Sequence, residues 1–495
     1  MRSIPHYING AAASAPGELP VFNPATGETT ARVPVPSTTV VDEVVASSRA
    51  AWQTWRNSTL SQRTNILFTF RQLLVQHTDE LAALITSEHG KTIADAKGEI
   101  ARGLENVEYA CGLTEHLKGG FSSQVADGVD VHSFRESLGV VVAVTPFNFP
   151  IMVPLWMTAN ALATGNVVVL KPSERDPSAS NFVAELYREA GLPDGVFNVV
   201  HGDKVAVDAI LDHPDVAGVS FVGSTPIARY VHERATQRGK RVQALGGAKN
   251  HAVVMADADL DYAADQLTAA GFGSAGQRCM AISVVVAVGA CADPLLERLA
   301  ERARAVKVGP GLDPTSEMGP VVTAEARERI LGYIEQGLRD GAVATVDGRE
   351  IETGTGGFFI GPTLFDRAST NMSIYTEEIF GPVLTVIRVD SLEEAIELIN
   401  ESSFANGTAI FTSSGQAARR FQREVNVGMI GINVPIPVPM AYYSFGGWKD
   451  SLFGDHHIHG AEGIRFYTRA KAVTTRWPAD GTGGAGRGLN FPTNS

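Results

Sequence analysis

Cysteine is scarce in this chain, because only residues 111, 279 and 291 of the 495 carry a thiol. A small, odd number of cysteines without regular spacing excludes a disulfide framework and is typical of free thiols in a reducing compartment. The first ten residues also lack the apolar segment of a secretory signal. We therefore expect a cytoplasmic location.

A long apolar run and an excess of basic charge are both missing as well. No apolar segment approaches the roughly 20 residues that a membrane helix needs. The net charge of −13 opposes binding to the phosphates of nucleic acid. We expect neither a membrane nor a nucleic-acid partner, and an anionic substrate would need cationic side chains gathered locally.

What the sequence does contain is a regular alternation of short apolar runs with helical patterns. The chain is long enough for two or three domains. Its clearest alternation predicts five strands, at 140–144, 166–170, 196–200, 218–222 and 241–245. Buried strands separated by helices predict an α/β fold with a parallel, doubly wound sheet, which binds ligands beyond the carboxyl ends of its strands. Polar and glycine residues follow four of these strands, at 145–148, 171–175, 223–224 and 246–247.

A second β/α series begins near His251 and contains Cys279. A helical pattern runs into a Gly/Ser loop that ends at Cys279, and a β-branched run follows. A thiol at such a junction can attack a carbonyl if its pKa falls towards neutrality, and Arg278 supplies positive charge for that. A buried small residue is the alternative interpretation of Cys279. The G-x-G-x-x-G patterns at 271–276 and 481–486 lack the strand–helix context of a dinucleotide site and are rejected.

The remaining segments give further expectations. A capping box at 39–42 starts a helical region that reaches about residue 118, with breaks near 57–58 and 90–91. Within this region an amphipathic helix carries Cys111 on its apolar stripe. Arg102 lies off that stripe, and its position alone favours the interpretation of a solvated charge. Residues 120–138 and the lone segment 467–477 are predicted strands, 478–495 a loose tail, and the histidines at 456, 457 and 459 a surface loop without a metal.

Six stretches fall in one order and spacing that resembles the aldehyde dehydrogenase superfamily over residues 5–477. They are Pro146-Phe-Asn-Phe-Pro150, Lys171-Pro-Ser-Glu174, Phe221-Val-Gly-Ser224, Gly276-Gln-Arg-Cys279, Glu378-Ile-Phe-Gly-Pro382 and Phe445-Gly-Gly-Trp-Lys449. The resemblance implies a Rossmann-type NAD-binding domain, an α/β catalytic domain and a small β oligomerisation arm in a homotetramer or homodimer. The corresponding ranges are 1–119 with 139–248, then 249–448, and 120–138 with 467–477.

The resemblance also implies roles for individual residues. Cys279 would be the nucleophile that forms a thiohemiacetal and then a thioester, and Asn148 with the Cys279 backbone N–H would bind the oxyanion. NAD is the implied cofactor, favoured over NADP by the carboxylate of Glu174. The implied cofactor-binding residues are Thr145, Phe147, Lys171, Glu174, Arg175, Ser224, Gly246, Glu378 and Phe380.

The sequence departs from hydrolytic members of the superfamily at residues 244–249. Those members carry a glutamate that activates water, whereas this chain has Ala244. Without the base the thioester should persist until a thiol such as coenzyme A attacks it. The segments at 247–251, 278–281 and 433–439 resemble the CoA-acylating methylmalonate-semialdehyde dehydrogenase branch, which oxidises methylmalonate or malonate semialdehyde and releases CO₂ with propionyl-CoA or acetyl-CoA.

In that branch two arginines hold the substrate carboxylate, and Arg102 and Arg278 match their positions. Two alternatives remain at this point. One is an NAD-dependent hydrolytic aldehyde dehydrogenase that forms a free acid with another base, for which Glu462 is the candidate. The other is a non-catalytic binding or structural protein, which the set of Cys279, Asn148 and Glu378 disfavours.

Overall fold

The computed structural model describes residues 2–15 and 17–477, and it begins with short strands followed by a run of helices. The strands are β1 (Arg2–Ser3), β2 (His6–Ile8), β3 (Ala11–Ala13), β4 (Gly17–Asn23) and β5 (Glu28–Val35). The helices are α1 (Thr38–Trp55), α2 (Leu60–Gln76), α3 (Thr78–His89), α4 (Ile93–Cys111) and α5 (Leu113–His116).

The two predicted breaks in this helical region are confirmed, whereas the predicted capping box is wrong. α1 begins two residues earlier than the capping box implies, because Ser37 and not Thr39 is the N-cap: Ser37 is extended and its side chain accepts a hydrogen bond from the Val40 N–H. α3 ends at Gly90, whose φ of +92° lies in the left-handed region that glycine adopts without a steric penalty. Cys111 is buried, as predicted.

Two strands of a small sheet come next, and a regular β/α alternation follows them. The small-sheet strands are β6 (Phe121–Ala126) and β7 (Val129–Ser137). The alternating elements are β8 (Val140–Val144), α6 (Met152–Ala163), β9 (Val167–Lys171), α7 (Ser178–Glu189), β10 (Phe197–Val199), α8 (Lys204–Asp212), β11 (Val216–Val222), α9 (Thr225–Gln237) and β12 (Arg241–Leu245).

These five strands form a parallel sheet in the order β12-β11-β8-β9-β10. The chain leaves β8 first towards β9 and later returns to its other side with β11. The carboxyl ends of β8 and β11 therefore border the crevice at which doubly wound sheets bind ligands. The predicted parallel, doubly wound sheet is confirmed, and its strands lie within two residues of their predicted bounds.

The second half of the chain builds another largely parallel sheet. Its elements are β13 (Asn250–Val254), α10 (Leu260–Phe272), β14 (Ile282–Val288), α11 (Ala292–Ala305), α12 (Ala324–Arg339), β15 (Val343–Val346), β16 (Thr363–Asp366), α13 (Ser373–Thr376), β17 (Val383–Val389), α14 (Leu392–Glu401), β18 (Phe404–Ala405), β19 (Gly407–Phe411), α15 (Gly415–Glu424) and β20 (Met429–Ile432). The strand order is β15-β16-β17-β14-β13-β19-β20, and β15 alone pairs antiparallel in it.

The last elements return to the first half of the molecule. They are β21 (Trp448–Lys449), β22 (Leu452–Phe453), α16 (Gly460–Phe466) and β23 (Thr468–Arg476). β22 pairs with β12 at the edge of the first sheet. β23 pairs antiparallel with β7 along nine residues, so the strand predicted to stand alone has its partner within the same chain.

Apolar side chains fill separate cores under the two sheets. One core runs from Tyr7 to Leu245 and includes residues of the returning C-terminal elements, and a second lies between α10, α11 and the other sheet. The predicted tail 478–495, with the second glycine pattern, lies outside the described residues. No helix in the described part of the chain combines the length and apolar character needed to cross a membrane.

Candidate active site

Cys279 lies between the end of α10 and the start of β14, as the sequence predicted. A tight turn at Gly273–Gly276 precedes it, in which Ser274, Ala275 and Gly276 have φ values of +54°, +51° and +69°. A Cβ on Gly276 would lie 2.1 Å from the carbonyl oxygen of Gly381, so the turn can pack there only with glycine. Two consecutive non-glycine residues in the left-handed region, Ser274 and Ala275, store strain that the surrounding packing must offset.

The backbone of Cys279 is held by two asparagine side chains. The Nδ2 atoms of Asn250 and Asn406 each donate a hydrogen bond of 3.0 Å to the Cys279 carbonyl oxygen. Because both asparagines lie on or beside strands of the second sheet, Cys279 is fixed to a rigid element. Its side chain is half-buried at the wall of a cleft.

That cleft has a volume of about 580 Å³ and lies between the two sheets. It brings together most of the residues that the sequence assigned to catalysis and cofactor binding. Those among its lining are Phe147, Asn148, Arg175, Ser224, Gly246, Cys279, Glu378 and Phe380. Thr145, Lys171 and Glu174 are not in the lining but lie just beyond it, at the ends of β8 and β9, where the Thr145 N–H donates to the Lys171 carbonyl.

The structure does not meet the condition that the sequence analysis set for Cys279, a thiol pKa near neutrality. Burial and the nearby Glu378 carboxylate raise the pKa of the Cys279 thiol to about 12, and the opposing effect of Arg278 is smaller. Arg278 acts in the predicted direction, but desolvation, which no sequence pattern measures, outweighs it. The thiol of this structure is therefore protonated near neutrality.

Asn148 is buried and follows β8, and its side-chain amide has no hydrogen-bond partner among the described residues. An amide N–H left unpaired in a cleft beside a thiol is available to an oxygen of a ligand. Lys91 donates to the Asn148 carbonyl oxygen at 2.6 Å, so the backbone of this residue is anchored.

Glu378 is fixed in the cleft by the backbone that carries the unusual sequence at 244–249. Its Oε1 atom accepts a hydrogen bond of 2.8 Å from the Ala248 N–H. A Cβ on Gly247 would lie 2.3 Å from its Oε2 atom, so a larger residue there would displace the carboxylate from this position. Burial raises the pKa of Glu378, although the Ala248 N–H and Lys249 oppose the shift.

The aromatic and charged side chains of the cleft contact one another. Phe147 and Phe380 meet edge to face with ring centroids 5.9 Å apart, and the guanidinium of Arg175 lies 5.0 Å from the Phe147 ring centroid. Lys171 pairs with Glu174 at 3.0 Å. Burial acts to raise the pKa of Glu174, but the Lys171 and Arg175 charges outweigh it and the pKa is lowered.

A second cavity, of about 430 Å³, contains both predicted carboxylate-binding arginines. Arg102 reaches it from α4 and Arg278 from the loop before Cys279. Asp95 and Glu99 on α4, together with Lys91 and Ser274, also line it. The interpretation of Arg102 as a solvated charge is wrong, because its side chain is only 28% exposed and is held by protein groups.

The two arginines differ in how many of their donors are used. Arg102 Nη1 donates to Glu105, and Nη2 donates to the carbonyl oxygens of Val438 and Pro439 at 3.1 and 2.9 Å. Arg278 has Asp95 as its one hydrogen-bond partner in the described part of the chain. Most of the five donors of Arg278 therefore remain available to a ligand.

Sequence reasoning missed three charged residues of this region, namely Lys91, Asp95 and Glu99. Lys91 was interpreted only as part of a helix break. A local signal existed for the other two, because Asp95, Glu99 and Arg102 follow each other at intervals of about one helical turn and so share a face. Charged residues on a helix face are ordinarily solvated, and nothing local shows that these are not.

The remaining candidates lie apart from both cavities. Glu462 pairs with Arg465 at 2.6 Å and lines neither of them. His459 is 2% exposed and packs against Trp156 and Phe445, so the surface-loop prediction is wrong for it. Within residues 2–15 and 17–477, no group of histidine, cysteine and acidic side chains could hold a metal ion.

Comparison with known proteins gives consistent matches over nearly the whole chain. The model of the aldehyde dehydrogenase family matches residues 11–473. A malonate-semialdehyde dehydrogenase of Pseudomonas aeruginosa is 54% identical over 482 residues, which are 97% of each chain. Malonate-semialdehyde dehydrogenase 2 of Geobacillus kaustophilus is 50% identical over 92% of this chain and 95% of its own.

Solved structures of similar proteins support the same family. The methylmalonate-semialdehyde dehydrogenase of Oceanimonas doudoroffii superposes with a TM-score of 0.96 at 52% identity, covering 97% of this chain and 99% of its own. A Sinorhizobium meliloti 1021 protein solved in complex with NAD gives the same TM-score and coverage at 50% identity. The resemblance and the fold predicted from the six sequence stretches are confirmed, and the chain belongs to the aldehyde dehydrogenase family.

Proposed function

We propose that this protein is an NAD-dependent dehydrogenase of malonate and methylmalonate semialdehyde that transfers the acyl group to coenzyme A. The observation that carries the proposal is the cavity shared by Arg102 and Arg278, since Arg278 directly precedes the nucleophile. Two guanidinium groups suit a substrate whose carboxylate is separated from its aldehyde by one carbon atom. The names of relatives at about 50% identity support the same substrate class.

NAD fits the larger cleft in size and in chemistry. Ser224 begins α9 at the carboxyl end of β11, and a helix N-terminus stabilises a pyrophosphate. The ionised carboxylate of Glu174 would accept hydrogen bonds from ribose hydroxyls and repel a 2′-phosphate, so NAD is favoured over NADP. Glu378 and Phe380 lie beside Cys279, where the nicotinamide ribose would be bound. A relative of the same fold was solved with NAD.

In the first half of the reaction the Cys279 sulfur attacks the aldehyde carbon, and its proton is lost to solvent. The developing oxyanion accepts hydrogen bonds from the unpaired Asn148 amide and the Cys279 backbone N–H. NAD, when bound, supplies the hydride acceptor that converts the thiohemiacetal into a Cys279 thioester. The positive charge of Arg278 stabilises the thiolate, and its free donors hold the substrate carboxylate. Arg102, whose Nη1 and Nη2 atoms already donate to protein oxygens, adds positive charge to the same cavity.

The carboxylate then leaves as CO₂. The bond between the α-carbon and the carboxylate breaks, and the electron pair passes into the thioester carbonyl. The oxygen that accepts this charge occupies the site made by Asn148 and the Cys279 N–H, so one set of donors serves both steps. A proton from solvent completes the α-carbon.

The second half of the reaction depends on a missing carboxylate. Ala244 is completely buried at the end of β12 and offers no base to activate water. Glu462 lies outside both cavities, and Glu378 is anchored to the Ala248 N–H, where it would contact the ribose. Without a base, hydrolysis of the thioester is slower by about 10²–10⁴-fold. The thiolate of coenzyme A needs no such base and completes the transfer.

An NADH assay with malonate and methylmalonate semialdehyde, with and without coenzyme A, tests the proposal. We expect sustained NADH formation only with coenzyme A, accompanied by CO₂ and by acetyl-CoA or propionyl-CoA. Without coenzyme A, about one NADH per active site should form before the thioester stalls. Full-rate NADH production without coenzyme A, with a free acid as product, would contradict the proposal and favour the hydrolytic alternative.

A further inference from the structure

A lysine and a glutamate form an ion pair in the interior, beside the cavity that Arg102 and Arg278 share, which we call the substrate cavity. The Lys91 and Glu99 side chains are 1% and 0% exposed, and Lys91 Nζ lies 2.7 Å from Glu99 Oε2. Taking two such charges out of water costs several kcal/mol each, and an apolar pair of similar size is often as stable. Stabilisation of the fold therefore does not explain why these two charges are buried, and their contacts suggest another role.

The pair contacts both ends of one short segment of backbone. Lys91 Nζ donates to the Asn148 carbonyl oxygen at 2.6 Å. Glu99 Oε1 accepts from the N–H groups of Ile151 and Met152, at 2.8 and 3.2 Å, where α6 begins. Between these points the Phe149 ring packs on the Lys91 ammonium, with 4.6 Å between Nζ and the ring centroid.

Asn148 depends on this segment for its orientation. Its side-chain amide bonds to no other group in the described part of the chain, so only its backbone and packing determine where the amide points. We propose that Lys91 and Glu99 are positioning residues that hold Asn148 in the geometry needed to bind the oxyanion. This inference rests on the proposed role of Asn148.

The backbone around Lys91 also contacts the half of the molecule that carries Cys279. The backbone of Gly311 approaches Lys91 so closely that a Cβ on Gly311 would lie 2.3 Å from the Lys91 carbonyl oxygen. The Ile93 N–H donates to the Gly311 carbonyl at 3.2 Å. The backbone that carries Lys91 and begins α4 is thus held against the half of the molecule that carries Cys279.

The test is a double-mutant cycle between the ion pair and Asn148. The variant K91M/E99Q removes the Lys91 donor without leaving a buried charge, and the glutamine oxygen can still accept from Ile151 and Met152. We expect the pre-steady-state rate of NADH formation to fall about tenfold to hundredfold, as for a slightly misplaced catalytic group. The KM for NAD should change less than twofold. In the N148A background the same change should cost less than twofold.

Two controls separate the possible outcomes. K240M removes another buried lysine that donates to backbone carbonyls, including that of Val216 at 3.0 Å, and it should lower stability without affecting the NADH rate. N148A alone tests the proposed function, because an unchanged NADH rate would remove Asn148 from the reaction. If K91M/E99Q and N148A lower the rate by independent factors that multiply, the positioning role is overturned.

E99D keeps the inference testable if the double variant does not fold, because it leaves both charges of the buried pair in place. It weakens the hold on the Lys91 ammonium while leaving the donor itself in place. We expect a smaller loss of NADH rate, of about threefold to tenfold, that again disappears in the N148A background. A loss of the same size in both backgrounds would contradict the inference.

Discussion

At the scale of single residues, Arg278 combines two tasks, because it follows the strained turn that presents Cys279 and also lines the substrate cavity. Its guanidinium donates to Asp95, and its remaining N–H donors are free to bind a ligand. R278L should therefore raise the KM for malonate semialdehyde by about ten- to hundredfold, the value of one or two charged hydrogen bonds. The KM for propanal, which has no carboxylate, should stay within twofold.

Steady-state kinetics with the two aldehydes measures this selectivity. R298L is the matched control, because Arg298 pairs with Asp261 on an exposed surface away from both cavities. R278K adds a second comparison, since lysine keeps the charge and loses the planar fork. Equal effects of R278L on the two aldehydes would mean that Arg278 is structural.

The carboxylate of Glu378 acts on the nucleophile through charge. Because it raises the pKa of the Cys279 thiol, E378Q should lower that pKa and shift the pH profile of alkylation by iodoacetamide to lower pH. At pH 8 the alkylation rate should increase about three- to tenfold, which corresponds to roughly 0.7–1.4 kcal/mol of removed repulsion. Burial, the larger cause of the raised pKa, remains in the variant.

The pH profile is recorded on the protein without added cofactor, and the alkylated residue is identified by mass spectrometry. E377Q is a suitable control because Glu377 bonds to Tyr333 at an exposed position. An unchanged or upward-shifted profile in E378Q would show that the two side chains do not interact through charge.

The residues that sequence reasoning identified and those that it missed differ in kind. Cys279, Asn148 and Glu378 stand in ordered motifs, so a resemblance could assign them. Lys91 and Glu99 are buried only because α4 packs on α6 and because they neutralise each other. Burial of that sort is a property of the assembled molecule, and a single lysine in a sequence gives no sign of it.

At the scale of elements, the turn before Cys279 can be tested through its glycine. G276A would place a Cβ against the Gly381 carbonyl and would also penalise the φ of +69°. We expect the free energy of unfolding to fall by about 2–4 kcal/mol and the NADH rate to fall at least tenfold. Chemical denaturation and the NADH assay measure the two effects.

Gly332 supplies the matched control for this substitution. It lies within α12, and a Cβ there would meet no atom within 4 Å. G332A should therefore stabilise the protein by up to about 1 kcal/mol, through helix propensity alone. If the two variants changed the free energy of unfolding alike, the turn would not be strained or tightly packed.

Elements with strong local signals were predicted well, and those that depend on distant partners were not. The bounds of β8 and β12 match the prediction at both ends, because each is an uninterrupted pattern between turn signals. The start of α1 was misplaced because Ser37 competed with Thr39 as the cap. The resemblance grouped the segments of β7 and β23 in one small β arm, but no local pattern predicted that they pair with each other, since more than 300 residues separate them.

At the scale of the whole molecule, the sheet of β6, β7 and β23 carries unusual apolar exposure. Phe121 and Trp477 are 68% and 67% exposed, and Val125 and Phe134 are also exposed. Large exposed apolar side chains gathered on one sheet are typical of an interaction surface. We predict that copies of this chain associate through the sheet as a homotetramer or homodimer.

Sedimentation of the wild-type protein and of F121K tests this prediction. The wild type should sediment as a dimer or tetramer, and the lysine should reduce the apparent mass because it places a charge in the apolar contact. F68K is the control, since Phe68 is also exposed but lies on α2. A wild-type monomer, or an equal effect of the two lysines, would rule out this surface.

One face of α4 contacts three different partners from three successive turns. Asp95 pairs with Arg278, Glu99 with Lys91, and Arg102 reaches the loop at 438–439. Under the proposed function, Arg278 and Arg102 both recognise the substrate carboxylate, so the first and last of these turns bear on substrate choice and the middle turn on the position of Asn148. Mutations that spare the middle turn would then let descendants of this enzyme accept aldehydes with other end groups.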